Sequence, residues 1–123
     1  MRTLLKNAHI VTAVDNYIAD ILIDGETIAA IGKLSVEEST IDKVIDIQGN
    51  LVTPGGIDPH VHLEMPFMGT FSSDSYETGT RAALYGGTTT LIDFVLQTQG
   101  KSLQHALDDW NTRAKGNTLC DYS

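Results

Sequence analysis

Gly55-Gly56-Ile57-Asp58-Pro59-His60-Val61-His62 is an apolar run that ends in two histidines separated by one residue. On a β-strand, residues i and i+2 point to the same face, roughly 6.5–7 Å apart at the backbone. His60 and His62 therefore aim at one point, and each imidazole can close a metal–nitrogen distance of about 2.0–2.1 Å from there. The spacing makes half of a metal site at the end of a strand. A catalytic zinc takes three protein ligands and an open position, and no second comparable cluster occurs before Ser123. The polar face of an edge strand can carry the same H-x-H spacing, because short motifs recur by chance. Pro54-Gly55-Gly56 before the run and the apolar Ile57 favour the metal reading. Asp58 lies on the same face, two residues before His60. Its carboxylate suits orienting a ligating imidazole through the second ring nitrogen, or accepting a proton near the site. The alternative is a turn former at the strand end.

Length and composition set the bounds. The chain has 123 residues, enough for one domain with a real core. It is 41% hydrophobic and 20% charged, as ordinary globular proteins are. A net charge of −8 disfavours nucleic acid or an anionic membrane surface as a partner, since both need a basic footprint. The lone Cys120 excludes an intrachain disulfide framework and fits a reducing compartment, with a small buried hydrophobe as its role. No stretch near the N-terminus reads as a signal peptide, because Asn7, His9, Asp15 and Asn16 interrupt every apolar run. No segment approaches the 18 apolar residues of a membrane span. The expected compartment is the cytoplasm.

Patterning divides the chain between residues 53 and 54. Residues 1–53 read as short strands at Thr3–Leu5, His9–Thr12, Ile18–Ile23, Thr27–Ile31, Lys43–Ile47 and Leu51–Thr53. Asp24-Gly25 is a hairpin signal and Gly49-Asn50 a second turn. This half is all-β and sandwich-like, and its one histidine, His9, has no ligand partner nearby. Residues 54–123 change period. A strand over 56–61 precedes a loop over 63–73 and a helix from about Asp74 to Tyr85, with Asp74 as N-cap and Glu77 three residues on. Gly86-Gly87 stops that helix. Thr88–Val95 is β-branched and apolar, the signature of a strand buried on both faces. Ser102 caps a second helix with Leu103, Ala106, Leu107, Trp110 and Ala114 on one stripe, and Thr118–Tyr122 begins another strand. The order β-α-β-α-β implies a parallel sheet wrapped by helices. A barrel of eight such units needs about 250 residues, so the chain reads as the truncated N-terminal piece of a longer protein.

Pro54–Thr70 resembles the cyclic amidohydrolases, specifically the D-hydantoinase/dihydropyrimidinase family. The similarity continues through Glu77–Leu84, Gly86–Thr89, Ile92–Val95 and on to Cys120-Asp121-Tyr122. The run Leu63-Glu64-Met65-Pro66-Phe67-Met68-Gly69-Thr70 is its most specific part, while H-x-H alone is shared by many amidohydrolases. The resemblance implies an α/β fold: the start of a TIM (β/α)8 barrel at 54–123, preceded at 1–53 by part of a small β-sandwich domain. It implies a binuclear zinc enzyme that opens the amide bond of a hydantoin or 5,6-dihydropyrimidine ring. On this resemblance His60 and His62 would bind the more buried Zn2+. The bridging carboxylated lysine, two further histidines and an aspartate base would lie beyond Ser123, so no catalytic base is expected within the chain. Lys101 and Lys115 flank a helix and read as surface residues. The expected partner is a small cyclic amide or ureide, and the full-length protein is expected to be a homo-oligomer, a tetramer.

The loop after His62 is the natural substrate wall of such a site. Met65 and Phe67 suit the exocyclic substituent of a hydantoin, with packing under the loop as the alternative. Dihydroorotases and allantoinases, which resemble this motif, typically carry an arginine two residues after the second histidine. Glu64 stands there, which favours a neutral ring. A non-catalytic scaffold of the collapsin-response-mediator type shares much of the pattern but lacks metal histidines, and both are retained here.

Overall fold

The alternating residues of the first half form one long strand where two short ones were expected. β1 spans Arg2–Val11. Its pairing with β2 (Asn16–Asp24) shifts between Leu5 and Ala8. Asn7 takes a left-handed φ of 56° at that bulge, a conformation that asparagine tolerates best among non-glycine residues. Its amide N–H donates to Asp20 at 3.0 Å and its side chain to Asp46 at 2.9 Å, which gives the displaced residue new partners. β3 (Thr27–Gly32) pairs antiparallel with β2 through a turn at Gly25. β4 (Lys43–Asp46) and β5 (Leu51–Val52) both run parallel to β1. The turn between them is centred on Gln48 and Gly49, one residue earlier than expected, and both have positive φ.

A computed structural model describes residues 1–123, the side chain of residue 38 aside. Its contacts divide the chain into units Met1–Pro54 and Gly55–Ser123. The first unit is a single five-stranded sheet in the order β3-β2-β1-β4, with β5 continuing along β1. Ala8, Ile10, Ala19 and Ile21 form its core. Part of a sandwich was expected here; the described residues of this unit hold one layer, and Ile18, Ile28 and Leu51 are exposed.

The second unit is α/β. β6 (Gly56–Val61), β9 (Thr88–Asp93) and β10 (Asp121–Tyr122) form a parallel sheet in the order β10-β9-β6. Between β6 and β9 come a short hairpin, β7 (Pro66–Phe67) and β8 (Thr70–Phe71), and helix α1 (Tyr76–Tyr85). α2 (Leu103–Ala114) connects β9 to β10. Parallel neighbours need such crossovers, and helices supply them. Neither helix is long and apolar enough to cross a membrane.

The first helix begins later than the sequence suggests. Ser75, not Asp74, is the N-cap: its side chain accepts from Thr78 N–H, and the Thr78 hydroxyl accepts from Ser75 N–H. A reciprocal serine–threonine box satisfies two of the orphan donors at once. Glu77 is free of the cap and pairs with Arg81 at 2.8 Å. Ser102 caps α2 as expected, accepting from His105 N–H at 3.1 Å.

Both helices bury residues in one cluster of Leu63, Tyr76, Leu91, Trp110 and Ala114. Burial on both faces of the second barrel-type strand is not observed. Only Leu91 of β9 is buried, because the helices of this unit cover one face of the sheet. The α2 stripe is narrower for the same reason: Ala106, Trp110 and Ala114 are buried, while Leu103 and Leu107 are exposed. The final strand is shorter than the expected Thr118–Tyr122, since only Asp121 and Tyr122 reach pairing register with β9.

Candidate metal centre

Proline has no backbone N–H, so Pro59 interrupts the β6 ladder just before the first histidine. The parallel register with β9 accordingly shifts between Asp58 and Val61. The carboxylate of Asp58 replaces the missing tie by accepting from His60 N–H at 3.1 Å. Of the two roles open to Asp58 in the sequence, this contact is the turn former at the strand end. Its carboxylate meets the backbone of His60 rather than the ring, as in an aspartate turn closed two residues on.

His60 ends the strand with Val61, and His62 follows directly. Their Nε2 atoms lie 3.0 Å apart, both rings exposed. Two nitrogens each about 2.0–2.1 Å from one ion can be at most about 4.2 Å apart. The observed separation satisfies that bound, so the pair fits a single divalent cation that takes neutral imidazoles. The Nδ1 atom of His62 is 2.9 Å from the sulfur of Met65, which is buried. In the tautomer that leaves Nε2 unprotonated, Nδ1 carries the hydrogen and would donate to that thioether. Phe94 packs on both rings, with centroids 4.4 Å from His60 and 5.2 Å from His62. Among the described residues no group of three or more histidine, cysteine, aspartate or glutamate side chains could hold a metal. The histidines stand as a pair.

Asp93, the last residue of β9, lies beside this pair. One of its oxygens accepts from Phe94 N–H at 2.7 Å and from Leu63 N–H at 3.4 Å. The other accepts from the hydroxyl of Tyr76 at 2.8 Å. Tyr76 is 2% exposed. Burial is the main reason that its phenol is pushed well above the ordinary value, followed by the bond to Asp93 and the negative charges of Asp93 and Glu64. The carboxylate of Glu64 accepts from Tyr76 N–H at 3.2 Å, at the start of α1. A carboxylate is favoured there by the helix dipole.

The loop expected over 63–73 contains the β7-β8 hairpin, closed by Met68 and Gly69, both at positive φ. That combination is the two-residue turn whose twist matches antiparallel strands. It holds Phe67 and Phe71 on the rim of a cavity of about 390 Å³, lined also by His62, Met65, Thr70 and Ser72. Met65 and Phe67 thus both face the cavity that opens at His62. The sequence did not single out Asp93, Phe94, Tyr76 or Phe71. For Asp93 a signal existed, since ends of adjacent parallel strands gather functional groups. The others depend on packing that no local pattern carries.

The amidohydrolase family profile matches residues 51–116, which include both histidines and Asp93. The chain belongs to the amidohydrolase family. Among the relatives of this amidohydrolase chain, the D-hydantoinase of Geobacillus stearothermophilus is 51% identical over 99% of the chain and 26% of its own length. The dihydropyrimidinase of Dictyostelium discoideum is 43% identical over 98% of the chain and 24% of its own length. The crystal structure of dihydropyrimidinase from Brevibacillus agri NCHU1002 superimposes with a TM-score of 0.94, at 47% identity, over 100% of this chain and 26% of that one. The chain therefore spans about a quarter of the length of the relatives it matches. Its place in the family is the D-hydantoinase/dihydropyrimidinase branch.

Proposed function

We propose that this amidohydrolase chain supplies the first ligand pair and the substrate wall of a zinc enzyme that hydrolyses the ring amide of hydantoins or 5,6-dihydropyrimidines. The observation that carries the reading is the convergence of His60 Nε2 and His62 Nε2 to 3.0 Å beside the cavity of Met65 and Phe67. The names of the relatives support the same chemistry. Bound zinc would polarise the ring carbonyl and activate water. His60 and His62 would hold it through Nε2, and Met65 would keep the hydrogen of His62 on Nδ1. The remaining ligands, which the family resemblance gives as a bridging lysine, two histidines and an aspartate, are not among these residues, which span about a quarter of the relatives' length.

Substrate class follows from what lines the cavity. Met65, Phe67 and Phe71 are apolar, and no cation lines it among the described residues. Glu64, in the place where related enzymes for anionic rings put arginine, is committed to α1. A neutral ring with an apolar substituent fits these walls. The retained histidine pair disfavours a non-catalytic scaffold. The β-α-β-α-β order of the second unit is the opening of a (β/α)8 barrel on this reading, with its site at the strand ends. By the same resemblance, the enzyme works in the cytoplasm as a homo-oligomer.

The test uses the full-length protein. His60→Ala and His62→Ala should each lose most bound zinc and nearly all hydrolysis of dihydrouracil and hydantoin. Parent-level metal content and rate in either variant would show the ligand assignment to be wrong.

A further inference from the structure

The strand ladder fails where the site needs it most. The register between β6 and β9 breaks from Asp58 to Val61, around a proline that cannot donate. The histidine segment is therefore held by side chains. Asp58 takes the N–H of His60 on one side, and Asp93 takes the N–H of Leu63, the residue after His62, on the other.

We propose that Asp93 is a positioning residue for the imidazole pair, acting through two backbone N–H groups rather than on either ring. This rests on the reading of His60 and His62 as metal ligands. The same Asp93 oxygen that accepts from Leu63 also accepts from Phe94 at 2.7 Å. The Phe94 ring lies 4.4 Å from His60 and 5.2 Å from His62, within 20° of parallel to the latter. One oxygen thus fixes the chain that carries His62 and the aromatic plate against which both imidazoles rest. The second oxygen is anchored by the buried hydroxyl of Tyr76 at 2.8 Å, which locks the carboxylate in place. Three donors converge on the group. A carboxylate, with two oxygens and about four lone-pair sites, can accept all three at once. The bonds are strengthened by its charge. Ligating side chains need support of this kind, because a site loose by a fraction of an ångström binds its metal poorly.

The test compares Asp93→Ala and Asp93→Asn in the full-length protein. Zinc affinity is read by competition with a chromophoric chelator, and ring positions by crystal structures of the metal-free variants. Asp93→Ala should weaken zinc binding by about ten- to a hundredfold. It should also let the Phe94 plate and the two Nε2 atoms move apart. Asp93→Asn keeps an oxygen for both backbone donors, so it should hold the rings in place and stay within about threefold of the parent affinity. That rescue is what a general loss of stability would not give. If Asp93→Ala fails to fold, Asp93→Ser, whose shorter side chain withdraws the acceptor from both N–H groups, takes its place: displaced rings and weaker zinc binding support the proposal, and parent values overturn it. Unchanged rings and affinity in a folded Asp93→Ala variant also overturn it. Should His60→Ala or His62→Ala keep parent zinc affinity, the ligand reading fails, while the metal-free ring positions still decide whether Asp93 holds the pair.

Discussion

Gly55 faces Thr89 across the start of β6 so closely that a Cβ on Gly55 would stand 2.0 Å from the threonine Oγ1 and 2.8 Å from its Cβ. The two strands are tied at the same place by the N–H of Gly56, which donates to the carbonyl of Gly87 at 2.8 Å. The glycine is therefore required by close approach, and Gly55→Ala forces the strands apart or distorts Thr89. Overpacking of this kind costs about 1–3 kcal/mol. Chemical denaturation of the full-length protein should show that loss. Thr89→Ala in the same background should restore part of it, since two of the three nearest atoms are removed. A Gly55→Ala variant with parent stability would show that the approach is relieved cheaply.

Tyr76 makes stability fall at alkaline pH. Its phenol is raised above the ordinary value near 10 by burial first, then by its bond to Asp93 and the charges of Asp93 and Glu64, with Arg113 opposing. In the unfolded chain the phenol ionises near 10, while in the folded protein it keeps its proton to higher pH. The native state then binds more protons, so this contribution is fully present below pH 10 and is lost as pH rises above it. The slope can reach at most about 1.4 kcal/mol per pH unit. Comparing denaturation midpoints between pH 9 and 11, the parent should lose more stability than Tyr76→Phe. Parallel curves for the two proteins would remove Tyr76 as the cause.

Met65 offers a test of ring tautomer. Its sulfur lies 2.9 Å from Nδ1 of His62, where it can accept only from the tautomer protonated at Nδ1, and a thioether is a weak acceptor. Met65→Leu conserves volume and so should cost less than about 1.5 kcal/mol of stability. Zinc affinity should fall by a few-fold, below the roughly ten- to a hundredfold expected for losing a strong acceptor. Parent affinity in that variant would leave Met65 as packing alone.

How much of this was legible depends on the range of the interactions. H-x-H is a local pattern, and the two Nε2 atoms do meet. His62 lies just past the end of β6 where the ladder is already broken, so strand period alone does not account for the approach. Helix stops at Gly86-Gly87 and the cap at Ser102 are equally local. The start of α1 was misread because Ser75 and Asp74 are both good caps, and the choice is made by Thr78 returning the bond. For Asp58 the sequence leaves two roles open, and the contact seen is the turn-forming one: Pro59 breaks the ladder, and the carboxylate accepts from the next N–H, that of His60. The burial of β9 was overestimated from β-branched composition, which registers what a strand can bury and not how many layers cover it. Asp93 joins Tyr76, 17 residues earlier, and Leu63, 30 residues earlier, so no window along the chain contains the cluster.

Phe67 should govern which rings the enzyme prefers while leaving the chemistry untouched. It sits beside the turn of the β7-β8 hairpin, opposite Thr70, and lines the cavity at His62. It is 64% exposed, so little of its surface is committed to the core and its removal should not unfold the loop. The hairpin turn at Met68-Gly69 fixes its position independently of the side chain. Phe67→Ala therefore removes apolar wall from the place where a ring substituent would lie. Losing such contact changes discrimination between a bulky and an unsubstituted ring by about tenfold, roughly 1.4 kcal/mol of differential transition-state binding. The measurement is kcat/KM of the full-length protein for 5-benzylhydantoin and for hydantoin. The ratio should fall about tenfold in Phe67→Ala, with the rate on hydantoin near that of the parent. An equal loss on both substrates would mean that Phe67 supports the hairpin and does not touch the ring substituent.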